Sequence, residues 1–118
     1  MKTLAFVVEG KPKSWKRVST NKYRAKFDPN APYKRYIGQI ALAQRNGMGF
    51  KLTRMPVEAR LGFFGVNMRS DVDNLAKTIL DALNGVVWFD DSQVKSLIAT
   101  KTAFGPPKTE IEITWDEE

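Results

Sequence analysis

"RSDVDNLAKTILDALNG", residues 69–85, combines a helical period with two aspartates two positions apart. Val72, Leu75, Ala76, Ile79, Leu80 and Leu83 recur at steps of three and four, which predicts a helix over roughly 72–83 with one unbroken apolar stripe, closed by Asn84 and Gly85. The polar face of that helix lines up Asp73, Lys77 and Asp81, each four residues from the next. Two accounts of these charges stand side by side. The local one is that Ser70 and Asp73 have capping-box spacing, that acids suit a helix N-terminus, and that Asp73 and Lys77 form a surface ion pair worth roughly 0.2–0.5 kcal/mol. The chemical one is that Asp71 and Asp73 form the mouth of a site. On a regular helix they would point about 200° apart, so they converge only if Asp71 precedes the helix, at the end of the strand before it.

Outward from this stretch, "WFDDSQVK" at 88–95 adds Asp90 and Asp91 in a turn before the next strand, with no basic residue until Lys95. Alone, such a pair reads as a turn or a cap. The charge distribution argues for more. The chain carries 19 Lys and Arg against 13 Asp and Glu, for a net charge of +6. Residues 1–54 hold thirteen basic residues against two acids, and residues 55–118 hold six against eleven. A basic chain that places Asp71, Asp73, Asp90 and Asp91 around one short helix incurs repulsion unless a cation offsets it. Mg²⁺ suits the purpose: it takes oxygen ligands, retains water, and needs few carboxylates when a substrate phosphate completes its shell. The absence of histidine and cysteine removes imidazole bases, thiolate nucleophiles, thiolate zinc sites and disulfides. Chemistry here rests on carboxylates, lysines, hydroxyls or an oxygen-seeking ion.

At 118 residues, 42% of them hydrophobic, the chain fits a single domain, 1–118, with one modest core. There is no apolar run of about eighteen residues and no charged-then-apolar leader, so the expectation is a cytoplasmic protein without a membrane span. "TLAFVVEG" reads as a first strand ending at Gly10. "KPKSWKRVSTNKYRAKFDP" follows, a basic segment interleaved with Trp15, Tyr23 and Phe27, with a hairpin expected around Asn21. Cations beside aromatics suit a nucleic-acid backbone and its bases. Lys13, Lys16, Arg17, Arg24 and Lys26, with Arg69, are the DNA-contact candidates. A first helix is expected from Pro32 to Asn46-Gly47, capped by Asn30, with Tyr33, Tyr36, Ile37, Ile40 and Ala41 as its stripe. Strands are expected at 57–66, within "VKSLIATKTAF" and at "TEIEITW". The fold class is α+β, a mixed sheet of four to five strands with two helices.

The pattern R-x-D-x-D-N-x-x-K-x-x-x-D-A-L-N-G, followed by W-x-D-D-x-Q-V, resembles that of the RusA-type Holliday-junction resolvases of bacteria and their prophages. The likeness is dense from Arg69 to Val94, and the flanking strands and basic N-terminal half agree in order. It implies a metal-dependent endodeoxyribonuclease acting on branched DNA, four-way junctions, in recombination and repair. It also implies that Asp71, Asp73 and Asp91 bind Mg²⁺, with Mn²⁺ as an alternative, while Lys77 assists cleavage. Asn74 and Asp90 are then supporting candidates, Asn74 orienting Asp73 and Asp90 acting behind the ligands or as a cap. Cutting two opposing strands calls for a two-fold homodimer, with Trp88, Phe89 and the aromatics of the first helix as interface candidates. An EF-hand beginning at Asp71 is excluded, because its fifth, sixth and twelfth positions are Leu75, Ala76 and Ala82. The alternative is a non-catalytic basic DNA-binding module, which explains the basic half but not the acids.

Overall fold

The computed structural model describes residues 1–15, 19–20 and 26–116, with the backbone alone at 19–20 and 26–27. The first strand, β1 (Lys2–Glu9), is followed by a short antiparallel pair, β2 (Ser19–Thr20) and β3 (Lys26–Phe27); Asn21, where the hairpin turn is expected, lies outside the described residues. Helix α1 (Ala31–Gly47), strand β4 (Val57–Phe64), helix α2 (Val72–Leu83) and strands β5 (Val94–Thr102) and β6 (Lys108–Trp115) complete the order. Four strands form one mixed sheet in the order β1-β6-β4-β5, with β4 and β5 parallel and the other pairs antiparallel. This is the expected α+β class.

Alternation along the strands sets the layers. Leu4, Phe6 and Val8 of β1, Val57, Ala59, Leu61 and Phe63 of β4, and Ile111, Ile113 and Trp115 of β6 are buried on one face. Against it pack Tyr33, Ile37 and Ala41 of α1 and Leu75, Ala76, Ile79, Ala82 and Leu83 of α2. The two helices meet closely at Gly38, where an added Cβ would lie 3.5 Å from the Ala82 carbonyl oxygen. Lys34 reinforces the contact, its Nζ lying 3.0 Å from Asp28 and 3.4 Å from Asp81. The Asn30 amide and Lys34 together hold the Asp28 carboxyl below the ordinary carboxylate range.

Several local expectations are corrected. The strand ahead of α2 ends at Phe64, and a loop, 65–70, intervenes before Asp71. Ser70 is not the cap: Asp71 is the N-cap residue, with extended backbone and no side-chain cap bond. Asn30 precedes α1 but does not cap it with its side chain; its Nδ2 donates instead to the Ser14 carbonyl at 2.6 Å. Trp88 is fully buried, and its Nε1–H donates to Asn84 Oδ1 at 2.6 Å, so it belongs to the core and is removed as an interface candidate. Tyr33 is likewise buried, whereas Tyr36 and Phe89 remain exposed.

Candidate active site

Strand direction fixes which residues share an end of the molecule. Phe64 lies beside Thr102 in the parallel β4–β5 pair, Lys108 lies beside Phe64, and Glu9 beside Lys108. One end of the sheet therefore gathers the exit of β1 into the basic segment, the loop 65–70, the start of α2 and the turn between β5 and β6. Asp71 and Asp73 sit at this end. Both are exposed, and neither makes a hydrogen bond or ion pair with another described side chain. Asp71 precedes the helix in an extended conformation, φ −74° and ψ 128°, as convergence of the two carboxylates requires, although a loop and not the strand end carries it.

The loop carrying them is tied down. Asn67 forms an Asx-type turn: its Oδ1 accepts the Arg69 N–H at 2.9 Å, and its carbonyl accepts the Ser70 N–H at 2.9 Å. Lys101, at the end of β5, donates from Nζ to the carbonyls of Met68 at 2.9 Å and Ser70 at 2.5 Å. This lysine was not singled out from the sequence. The only signal was a basic residue in the closing turn of an edge strand, which reads equally well as solvated.

The basic segment meets α2 at Trp15. Its N–H donates to the Asn74 carbonyl at 2.8 Å, and its ring lies under the Lys77 ammonium, 3.7 Å from Nζ to centroid. Lys77 thus forms no ion pair with Asp73 or Asp81 among the described residues, and Asp81 is occupied by Lys34. Two parts of the local account of the helix charges fail, the Ser70 cap and the Asp73–Lys77 pair, while the third holds: Asp71 and Asp73 do stand at the N-terminus of α2. Asn74 serves through its carbonyl, which also accepts the Thr78 hydroxyl at 3.2 Å. Lys13 lies 5.6 Å over the Tyr33 ring. Arg69 is exposed at the acid end. Lys16, Arg17 and Arg24, and the side chain of Lys26, lie outside the described residues.

Asp90 and Asp91 stand at the opposite end, ahead of β5. Helix α2, 12 residues and about 18 Å long, runs back along the sheet between the two acidic groups. Among the described residues no three acids lie close enough to share a metal ion. Asp71 and Asp73 share the N-terminal end of α2; Asp91 lies at the other end of the sheet within one chain. Asp90 is a cap: its carboxylate accepts the Ser92 N–H at 3.0 Å, and contacts from the Ser92 hydroxyl and amide hold it below the ordinary carboxylate range. Gln93 completes this capping box, its Oε1 accepting the N–H groups of Phe89 at 2.8 Å and Asp90 at 3.1 Å. Its Nε2 donates to the carbonyls of Thr53 and Met55, both at 3.0 Å. The motif glutamine is therefore the clamp that presents Asp91, which is exposed. Gln93→Ala should lower unfolding free energy by about 2 kcal/mol in urea titration, because four hydrogen bonds are lost. A change under about 0.5 kcal/mol would remove the clamp role.

As a metal site, the Asp71–Asp73 pair is suited to a hard cation: it offers oxygen donors alone, with no competing side-chain cation among the described residues. Two unpaired carboxylates and a ring-held lysine, set where a basic segment enters, form a domain equipped to handle a phosphate backbone. The chain belongs to the RusA family, the family described as Endodeoxyribonuclease RusA matching residues 9–114. The comparison with curated proteins finds no match.

Proposed function

We propose that the protein is a Mg²⁺-dependent, structure-selective endonuclease that cuts four-way DNA junctions as a homodimer, in recombination and repair. Besides family membership, one observation carries this reading: Asp71 and Asp73 stand unpaired beside Lys77, at the end where the basic segment leaves β1. Clustered acids without a protein counter-charge suit a cation, and the adjoining lysines suit the phosphate that would share it. Asp71 and Asp73 would hold the ion, with Mn²⁺ able to replace Mg²⁺. When bound, such an ion supplies Lewis-acid polarisation of the phosphate and a water acidic enough to attack at neutral pH. Lys77 places positive charge where the phosphoryl oxygens gain negative charge as water's oxygen joins phosphorus and one backbone P–O bond breaks. The N-terminal basic residues, Lys13 among the described ones, hold the strand by charge with little sequence readout. Action on DNA fits a cytoplasmic protein.

The separation of Asp91 from Asp71 and Asp73 supports the dimer. If Asp91 acts in cutting, a second copy must bring it to the pair, and a two-fold axis then builds two equivalent sites for two opposed strands. The deciding assay incubates a labelled four-way junction and a linear duplex of the same sequence with the protein, in Mg²⁺ and in EDTA. Paired nicks in the junction alone, and only with Mg²⁺, are expected. Junction binding without cutting in Mg²⁺ or Mn²⁺ would instead establish the non-catalytic DNA-binding reading.

A further inference from the structure

Phe104 is the most exposed large apolar side chain among the described residues, 83% accessible, in the turn joining β5 to β6. This turn is firmly held. The Phe104 N–H donates to Thr102 Oγ1 at 3.3 Å, and its carbonyl accepts the Gly65 N–H at 3.3 Å. The Pro107 carbonyl accepts the Gly10 N–H at 3.1 Å. Gly65 adopts φ +68°, and a Cβ there would meet the Pro107 backbone at 2.9 Å, so the loop before α2 and this turn are fitted closely together. Pro106 and Pro107 fix two further φ angles. The result is an aromatic ring held in water on a rigid support.

The surroundings indicate what it meets. The turn lies at the same end of the sheet as Asp71 and Asp73. Lys11 follows Gly10, which is bonded to the turn, and Lys101 and Arg69 belong to the adjoining strand end and loop. Met68, 52% accessible, is the second exposed apolar side chain there. An exposed aromatic ring flanked by segments that carry basic residues matches a polyanion that also offers a flat apolar face. In linear duplex the bases are stacked on one another and offer no such face. At a branch point the flanking pairs are readily unstacked, and proteins that meet opened steps insert apolar wedges into them.

Resting on the nuclease reading above, we infer that Phe104 stacks on a base at the branch point and is the residue by which this chain favours branched over linear DNA. It lies outside the motif-dense span, 69–94, so it serves substrate choice and takes no part in bond breaking.

The test compares wild type, Phe104→Ala and Phe104→Trp in gel-shift titrations against a four-way junction and a linear duplex of the same sequence. A 2-aminopurine at the branch point reports stacking. Junction affinity should fall about tenfold or more in Phe104→Ala and stay near wild type in Phe104→Trp, because loss of one aromatic–base stack is of that order. Linear-duplex affinity should not change, and the 2-aminopurine should be quenched by wild type and Phe104→Trp only. If wild type cuts the junction and Phe104→Ala binds it equally well, the inference falls and the nuclease reading stands. Equal losses on both DNAs, with dissociation seen by light scattering, would make the tip a contact between copies and overturn the inference. A wild-type protein that neither binds nor cuts the junction overturns the nuclease reading and takes this inference with it.

Discussion

Asp71→Asn and Asp91→Asn chains, each inactive alone, should recover nicking of four-way junctions when mixed, refolded together and supplied with Mg²⁺. Within one chain these two acids lie at opposite ends of the sheet, with α2, about 18 Å long, running between those ends. If a two-fold axis joins Asp71 and Asp73 of one copy to Asp91 of the other, a mixed dimer holds one site with both substitutions and one with neither. Random pairing makes half the dimers mixed, so about a quarter of the wild-type sites should return. Asp71→Asn mixed with Asp73→Asn should recover nothing, because every site then carries one substitution. Each single variant should bind the junction as well as wild type or better, since each removes a negative charge close to phosphate. Cutting retained in all three single variants would discard the acidic site. No recovery from the first mixture, with mixed dimers demonstrated, would discard the shared one.

Lys77→Ala should lower the cleavage rate by about 10² or more while leaving the thermal midpoint almost unchanged. An ordinary surface pair with Asp73 or Asp81 would have predicted the loss of a few tenths of a kcal/mol and little else. Lys77 instead has its ammonium 3.7 Å from the Trp15 ring centroid, and Asp81 is engaged by Lys34. If Lys77 acts in cleavage, Trp15 positions its ammonium. Trp15→Ala should slow cleavage about tenfold, in keeping with a cation–π contact of about 1–2 kcal/mol, and Trp15→Phe should restore most of it. Single-turnover rates at saturating DNA separate this from weaker binding. Equal losses of stability and activity in Lys77→Ala would return the lysine to a structural role.

The elements were legible because their periods are clean. The stripe from Val72 to Leu83 placed α2 to the residue, and the alternation of Ile111, Ile113 and Trp115 placed β6. What sequence spacing misjudged was direction. Asp71 and Asp91 lie 20 positions apart and flank the same helix, which suggested one cluster, yet a parallel strand pair requires its connecting helix to travel back along the sheet. The acids were therefore carried to opposite ends. Asp90 behaved as local chemistry suggests, as a cap, whereas Ser70 lost that role to Asp71. Lys101 escaped assignment, and Trp15 reads only as an aromatic of the basic segment, because each acts across 31 or more positions of chain, on the carbonyls of Met68 and Ser70 and on Lys77. Backbone acceptors of that kind leave no mark in the letters.

The position of β6 bears on synthesis as well as on shape. This strand lies between β1 and β4 and pairs with each over its full length, so Lys2 meets Trp115 and Val57 meets the same residue from the other side. During translation β1, α1 and the β4–α2–β5 unit emerge while the strand that joins them is still inside the ribosome. The early pieces wait with open edges, and the sheet closes in one late step dominated by contacts distant in sequence, the class of topology that folds slowly. Premature termination anywhere before Lys108 would release a chain whose two parts have no strand in common, with exposed edges suited to pairing with other chains.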